Sequence, residues 1–144
     1  MSAEEIKAFT RRLFEIELNK GKAAAMTAID EDFASNVVIH TATGRDMSLK
    51  DFKQYLSSLY DAFPDIHFTI DDMVVEGDKI AVRHTRTGTH KGEFMGIPPT
   101  NKKVTFWTIE IVRIIGSKLI EAWSRFDTLG LMQQLGAIPN SGGH

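Results

Sequence analysis

Few residues in this sequence are placed to do chemistry, and most of them lie in its second half. Asp127 follows Trp123-Ser124-Arg125-Phe126. A carboxylate at the mouth of an apolar cavity is desolvated. Desolvation raises its pKa, as suits a base that takes a proton from carbon beside a carbonyl. Asp127 also stands where an aspartate would cap a following helix by accepting from its free N–H groups. One carboxylate does not easily hold both roles, so they compete. His40 lies on a short apolar strand and shares a parity with Val38. It is a candidate donor to a substrate oxygen, set against the plainer role of a hydrogen-bonded strand residue.

The segment 80–90 alternates. Arg83, Thr85 and Thr87 share one face, and Ile80, Val82, His84 and Arg86 share the other. Both faces carry a cation, so alternation leaves open which one looks inward. A buried arginine there would hold an enolate or carboxylate oxygen. Arg83 and His84 are accordingly candidate substrate contacts, with Trp107, Trp123, Arg125 and Tyr60. Aromatic faces suit a flat ligand, and equally a core or a subunit interface. His90 closes its strand and is read as holding the following loop by hydrogen bonds. That loop, 91–101, contains Phe94, Met95, Ile97 and Pro98. It is unusually apolar for a loop, and reads either as a lid or as packing on the sheet edge or a second subunit.

Other chemistries find little support. No cysteine is present, which removes thiolate metal sites, disulfides and cysteine nucleophiles. His40, His67, His84, His90 and His144 show no paired ligand spacing, so no metal is expected. No glycine-rich phosphate loop and no nucleophile elbow occurs. The formal charge of −2 gives no basic surplus for nucleic acid. Neither a secretory pattern nor an apolar run of about 18 residues is present. The expectation is a cytoplasmic protein without membrane contact. Its 144 residues, 42% hydrophobic and 25% charged, suit a single globular domain over 1–144.

The elements that must position these residues follow from periodicity. Ser2 and Glu5 have capping-box spacing before a helix whose inward face is Ile6, Phe9, Leu13 and Ile16. A second helix covers about 22–32, with Met26, Ile29 and Phe33 inward. Residues 36–41 form a strand. Ser48 and Asp51 open a third helix, whose stripe is Leu49, Phe52, Leu56, Leu59 and Phe63 and which Pro64 ends. Strands follow at 66–75, 80–90, 103–115 and 118–126. A last helix spans 128–135, with Gly136 as its stop. The tail from about 137 is expected to be mobile. The order α-α-β-α-β-β-β-β-α, with successive hairpins, is α+β. A curved sheet wrapped over grouped helices would leave a cavity between them.

The second half also carries a signature. Gly88-Thr89-His90-x-Gly92 precedes Pro98-Pro99-Thr100-x-Lys102. Gly116-x-Lys118-x-x-Glu121-x-Trp123-x-x-x-Asp127 and Gln134-Leu135-Gly136 follow, and Ala62-Phe63-Pro64-Asp65 stands earlier. In these motifs the chain resembles the SnoaL-like polyketide cyclases of the NTF2-like superfamily. The resemblance implies a cone-shaped α+β fold, with a curved antiparallel or mixed sheet wrapped over N-terminal helices around a central cavity. It implies ring closure by intramolecular aldol condensation of a small hydrophobic carbonyl compound, without metal or organic cofactor. It also implies an acid/base aspartate at Asp127 and a homodimer formed through the sheet. A non-catalytic ligand-binding or dimerising module is the alternative on the same fold. The limonene epoxide hydrolases of this superfamily place Arg-x-Asp on the strand 80–90. They place a second aspartate on the last strand, where this chain has Asp127, but here Arg83-x-Thr85 lacks the carboxylate of Arg-x-Asp, which weakens epoxide hydrolysis as the function.

Overall fold

The computed structural model describes residues 1–139. His144 and most of the tail expected to be mobile lie outside the described residues. Helix α1 (Ala3–Arg11) opens on the expected capping box, with the Ser2 and Glu5 side chains each bonded to the other's backbone N–H. The chain then widens into a π-helical turn over Arg12–Glu17 and tightens into a 3₁₀ turn over Leu18–Lys20. The wide turn carries an extra residue, which rotates everything after it around the helix axis. Leu13, Phe14 and Leu18 are therefore buried, while Ile16, expected inward, is 51% exposed.

Helix α2 (Lys22–Asp32) runs directly into strand β1 (Phe33–His40). Strand β2 is only two residues, Asp46–Met47, too short to show a period. Helix α3 (Leu49–Ala62) has the reciprocal Ser48–Asp51 cap and buries Leu56, Leu59 and Tyr60. Strands β3 (His67–Glu76), β4 (Lys79–Thr89), β5 (Lys103–Ile115) and β6 (Lys118–Phe126) fall within a residue of their expected limits. Helix α4 (Thr128–Leu135) ends at Gly136, whose φ of 77° is the left-handed stop expected there.

The six strands form one sheet in the order β2-β1-β6-β5-β4-β3. All neighbours are antiparallel except β1 and β6. Bulges in β3 and at the β5–β6 pairing add twist and bend the sheet around the helices. The result is the expected α+β cone with a mixed sheet. Asn19 ties the N-terminal turns to the sheet: its amide exchanges two hydrogen bonds with the backbone of Phe68, at 2.8 and 2.9 Å. The core lies between the helices and the inner face, around Phe63, Phe68, Leu59, Ile80 and Val82.

The loop after β4 does not cover the cavity. Phe94 is buried with its ring against Phe63, 5.4 Å between centroids, so the loop packs on the edge of the sheet. His90 holds it as expected. The Thr100 N–H donates to His90 Nδ1, and the His90 and Asn101–Lys102 backbones are paired.

Candidate active site

Strand parity decides which side chains can meet a ligand. On β4 the inner face is Ile80, Val82, His84, Arg86 and Gly88. On β5 it is Val104, Phe106, Thr108, Glu110, Val112 and Ile114. The helices cover this face and leave a cavity of about 40 Å³ beside Phe14, Phe33, Tyr55 and Phe68. That space admits waters but no larger molecule. A ligand therefore has to displace part of the wall. Tyr55 lines both this cavity and an adjoining polar groove formed by Thr41, Arg45, Asp51 and Ser58.

Two charged side chains stand in the otherwise apolar wall, Arg86 and Glu110. Glu110 is buried, and both of its oxygens are engaged. Oε2 lies 3.2 Å from His84 Nε2, and Oε1 accepts from Ser124 Oγ at 2.9 Å. Burial pushes the Glu110 carboxyl pKa up. The hydrogen bond and charge of His84, the charge of Arg86 and the Ser124 hydroxyl together outweigh it, and the pKa lies below the ordinary glutamate value. Glu110 is thus a carboxylate kept ionised in an apolar surround. His84 is fully buried, with its ring against Phe14 and Phe68. Its Nδ1 and the Thr108 hydroxyl have no partner among the described residues.

The candidates read from sequence separate cleanly. His84 is on the inner face, within 3.2 Å of Glu110 of the cavity wall. Tyr60 is inside but structural: its hydroxyl donates to the Leu18 carbonyl at 2.6 Å, and burial pushes its pKa up to about 12. Arg83, Trp107, Trp123 and Arg125 are all on the outer face. Arg83 lies 3.9 Å from Asp71, and its neighbour Thr85 also bonds Asp71, so the Arg-x-Thr pattern faces away from the cavity. Trp107 is 64% exposed. Arg125 donates to the His40 and Ser124 carbonyls.

His40 is likewise outside, because Val37 and Ile39 take the inward parity of β1. It bridges Asp46 and Glu121, each at 2.8 Å, and stacks on Trp123. Those hydrogen bonds, Glu121 first and then Asp46, raise its pKa. Asp127 is exposed at the start of α4, where Oδ1 accepts from the Gly130 N–H at 2.9 Å. Its carboxylate is not part of the cavity wall, and of its two competing roles it fills the cap. Glu110, the carboxylate that does face the cavity, was signalled only by one charge in an otherwise apolar parity of β5.

The sequence between residues 9 and 135 matches the model of the SnoaL-like polyketide cyclases. This chain belongs to that family. No curated protein sequence matches it. Among solved structures of similar fold is AclR from Streptomyces galilaeus, a proposed hydroxylase. It is 27% identical, with a TM-score of 0.87 over 96% of this chain and 85% of AclR. IdmH from Streptomyces antibioticus, a proposed polyketide cyclase, is 26% identical, with a TM-score of 0.80 over 92% of this chain and 99% of IdmH. TsrD from Streptomyces laurentii shares the fold at 24% identity, with a TM-score of 0.83 over 96% of this chain and 99% of TsrD. These structures share the fold, and different reactions are ascribed to AclR and IdmH. The reaction of this chain has to be argued from its own cavity wall.

Proposed function

We propose that this family member carries out acid/base chemistry on a small hydrophobic carbonyl compound, of the intramolecular aldol type. The observation that carries the reading is Glu110, an ionised carboxylate on the wall of an enclosed apolar cavity, braced by His84 and Ser124. Glu110 takes a proton from carbon beside a carbonyl. The resulting enolate carbon attacks a second carbonyl carbon of the same molecule, and the alkoxide recovers the proton from Glu110. No net proton is consumed. The apolar walls support the step, because charge interactions strengthen where water is excluded. The ligand gains access past Tyr55, the side chain shared by the cavity and the polar groove.

Heptane-2,6-dione, which closes to a six-membered ring by this reaction, tests the reading. The native protein should accelerate formation of the cyclic β-hydroxyketone, followed by ¹H NMR, and Glu110→Gln should not. A native rate equal to buffer, at dione concentrations shown by NMR to fill the cavity, would overturn it.

The same reading includes a homodimer through the outer sheet face. Trp107, Ile109 and Ile111 form an exposed stripe on β5, with Trp123 beside Ile111 on β6. Contiguous apolar surface of this kind supports an interface rather than a solvated face.

A further inference from the structure

Arg86 has an unusual position. Its residue is only 7% exposed, and its side chain is part of the cavity wall. A guanidinium stays charged at any ordinary pH and carries five N–H donors in a planar fork. Its Nε is buried without a hydrogen-bond partner, and among the described residues the guanidinium has no carboxylate within ion-pair distance. Its charge is met only by the ring faces of Phe68 and Phe106, at 5.3 and 5.9 Å, and by the field of Glu110. No ion pair joins Arg86 to Glu110, whose two oxygens are engaged by His84 and Ser124.

An unpaired buried charge is costly. Two aromatic faces recover part of that cost but leave the in-plane Nε–H unused. A guanidinium fork matches an anion with two coplanar oxygens. Apart from the carboxylate of Glu110 and the Tyr55 side chain the wall is apolar, with no second cation to balance a doubly charged group such as a phosphate monoester. We propose that Arg86 anchors the carboxylate of the ligand, so that the cavity takes hydrophobic monocarboxylic acids in preference to their neutral esters. This rests on reading the cavity as the substrate site, and it narrows the carbonyl compound to one bearing an acid group.

Hexanoate and methyl hexanoate separate the possibilities, because they share a chain and differ in charge. Binding of each is measured by ¹H–¹⁵N NMR titration of the native protein, with Arg86→Gln and Arg86→Lys as variants. Hexanoate should bind at least about tenfold tighter than the ester, as expected for a charge-assisted bond made inside the fold. Arg86→Gln should remove that preference while leaving ester affinity within about threefold, and Arg86→Lys should keep part of it. Equal binding of acid and ester by the native protein, or an acid preference that survives Arg86→Gln, overturns the carboxylate anchor. In the first case an ester that still shifts Phe14 and Phe68 leaves the cavity reading standing. If neither compound shifts those residues, both readings fall. The native comparison holds even if a variant does not fold.

Discussion

His84 Nε2 lies 3.2 Å from Glu110 Oε2 on the inner face, while Arg83 and Ile109, one residue before each, are paired on the outer face. One step along either strand thus separates the candidate chemistry from the candidate interface. The bracing of Glu110 sets how its activity depends on pH. A proton acceptor must be ionised, so the rate should fall only as pH drops below the ordinary glutamate range near 4.5. Ser124→Ala removes one bond that favours the carboxylate, and the acid limb should move to higher pH. An unchanged limb in that variant would separate Glu110 from the rate.

Asp127 should matter for stability rather than rate. Asp127→Ala leaves the Gly130 N–H without its partner and should cost about 1 kcal/mol in denaturant unfolding. Asp127→Ser, which can still cap, should recover most of that. Dione cyclisation should stay within about threefold of native in both, since only interactions stronger in the transition state alter the chemical step.

Much of this arrangement is legible in the sequence. Both capping boxes, the β4–β6 strands and the Gly136 stop follow from local chemistry that tertiary packing does not override. Ile16 departs from the helical reading because a π-helical turn leaves no mark in a 3.6-residue period. The faces of the central strands are less legible. Trp107, Ile109 and Ile111 make the outer parity of β5 as apolar as the inner one, so hydrophobicity alone does not tell the two sides apart. Arg83 and Arg86 gave opposite answers on β4, and alternation had nothing further to offer. Asp127 carried two compatible sequence signals, and only its distance to Gly130 separates them.

His40 should make stability depend on pH in the opposite sense to a carboxylate whose pKa is lowered, such as Glu110. Its hydrogen bonds to Glu121 and Asp46 raise its folded-state pKa above the usual 6.5. The stabilisation it supplies is complete below about pH 6.5 and is lost as pH rises through the raised value. Native protein and His40→Gln should therefore differ most in unfolding midpoint at pH 5.5 and converge at high pH. A constant difference across that range would contradict the ion-pair account.

The outer stripe makes its own prediction. Ile109→Arg places a charge at its centre, between Trp107 and Ile111. Sedimentation equilibrium should show a native dimer and a monomeric variant with an unchanged circular dichroism spectrum. A native monomer at tens of micromolar concentration would remove the proposed interface.

Proton abstraction can be read without knowing the natural substrate. Hydrogen–deuterium exchange beside the carbonyl of a small bound ketone such as 1-indanone, followed by ¹H NMR in deuterium oxide, reports it directly. The native protein should accelerate exchange saturably. Glu110→Gln should reduce that acceleration by about 10²-fold or more, the range for loss of a general base, and Asp127→Asn should preserve it. Loss of exchange in Asp127→Asn with retention in Glu110→Gln would contradict the placement of the proton acceptor on the cavity wall at Glu110.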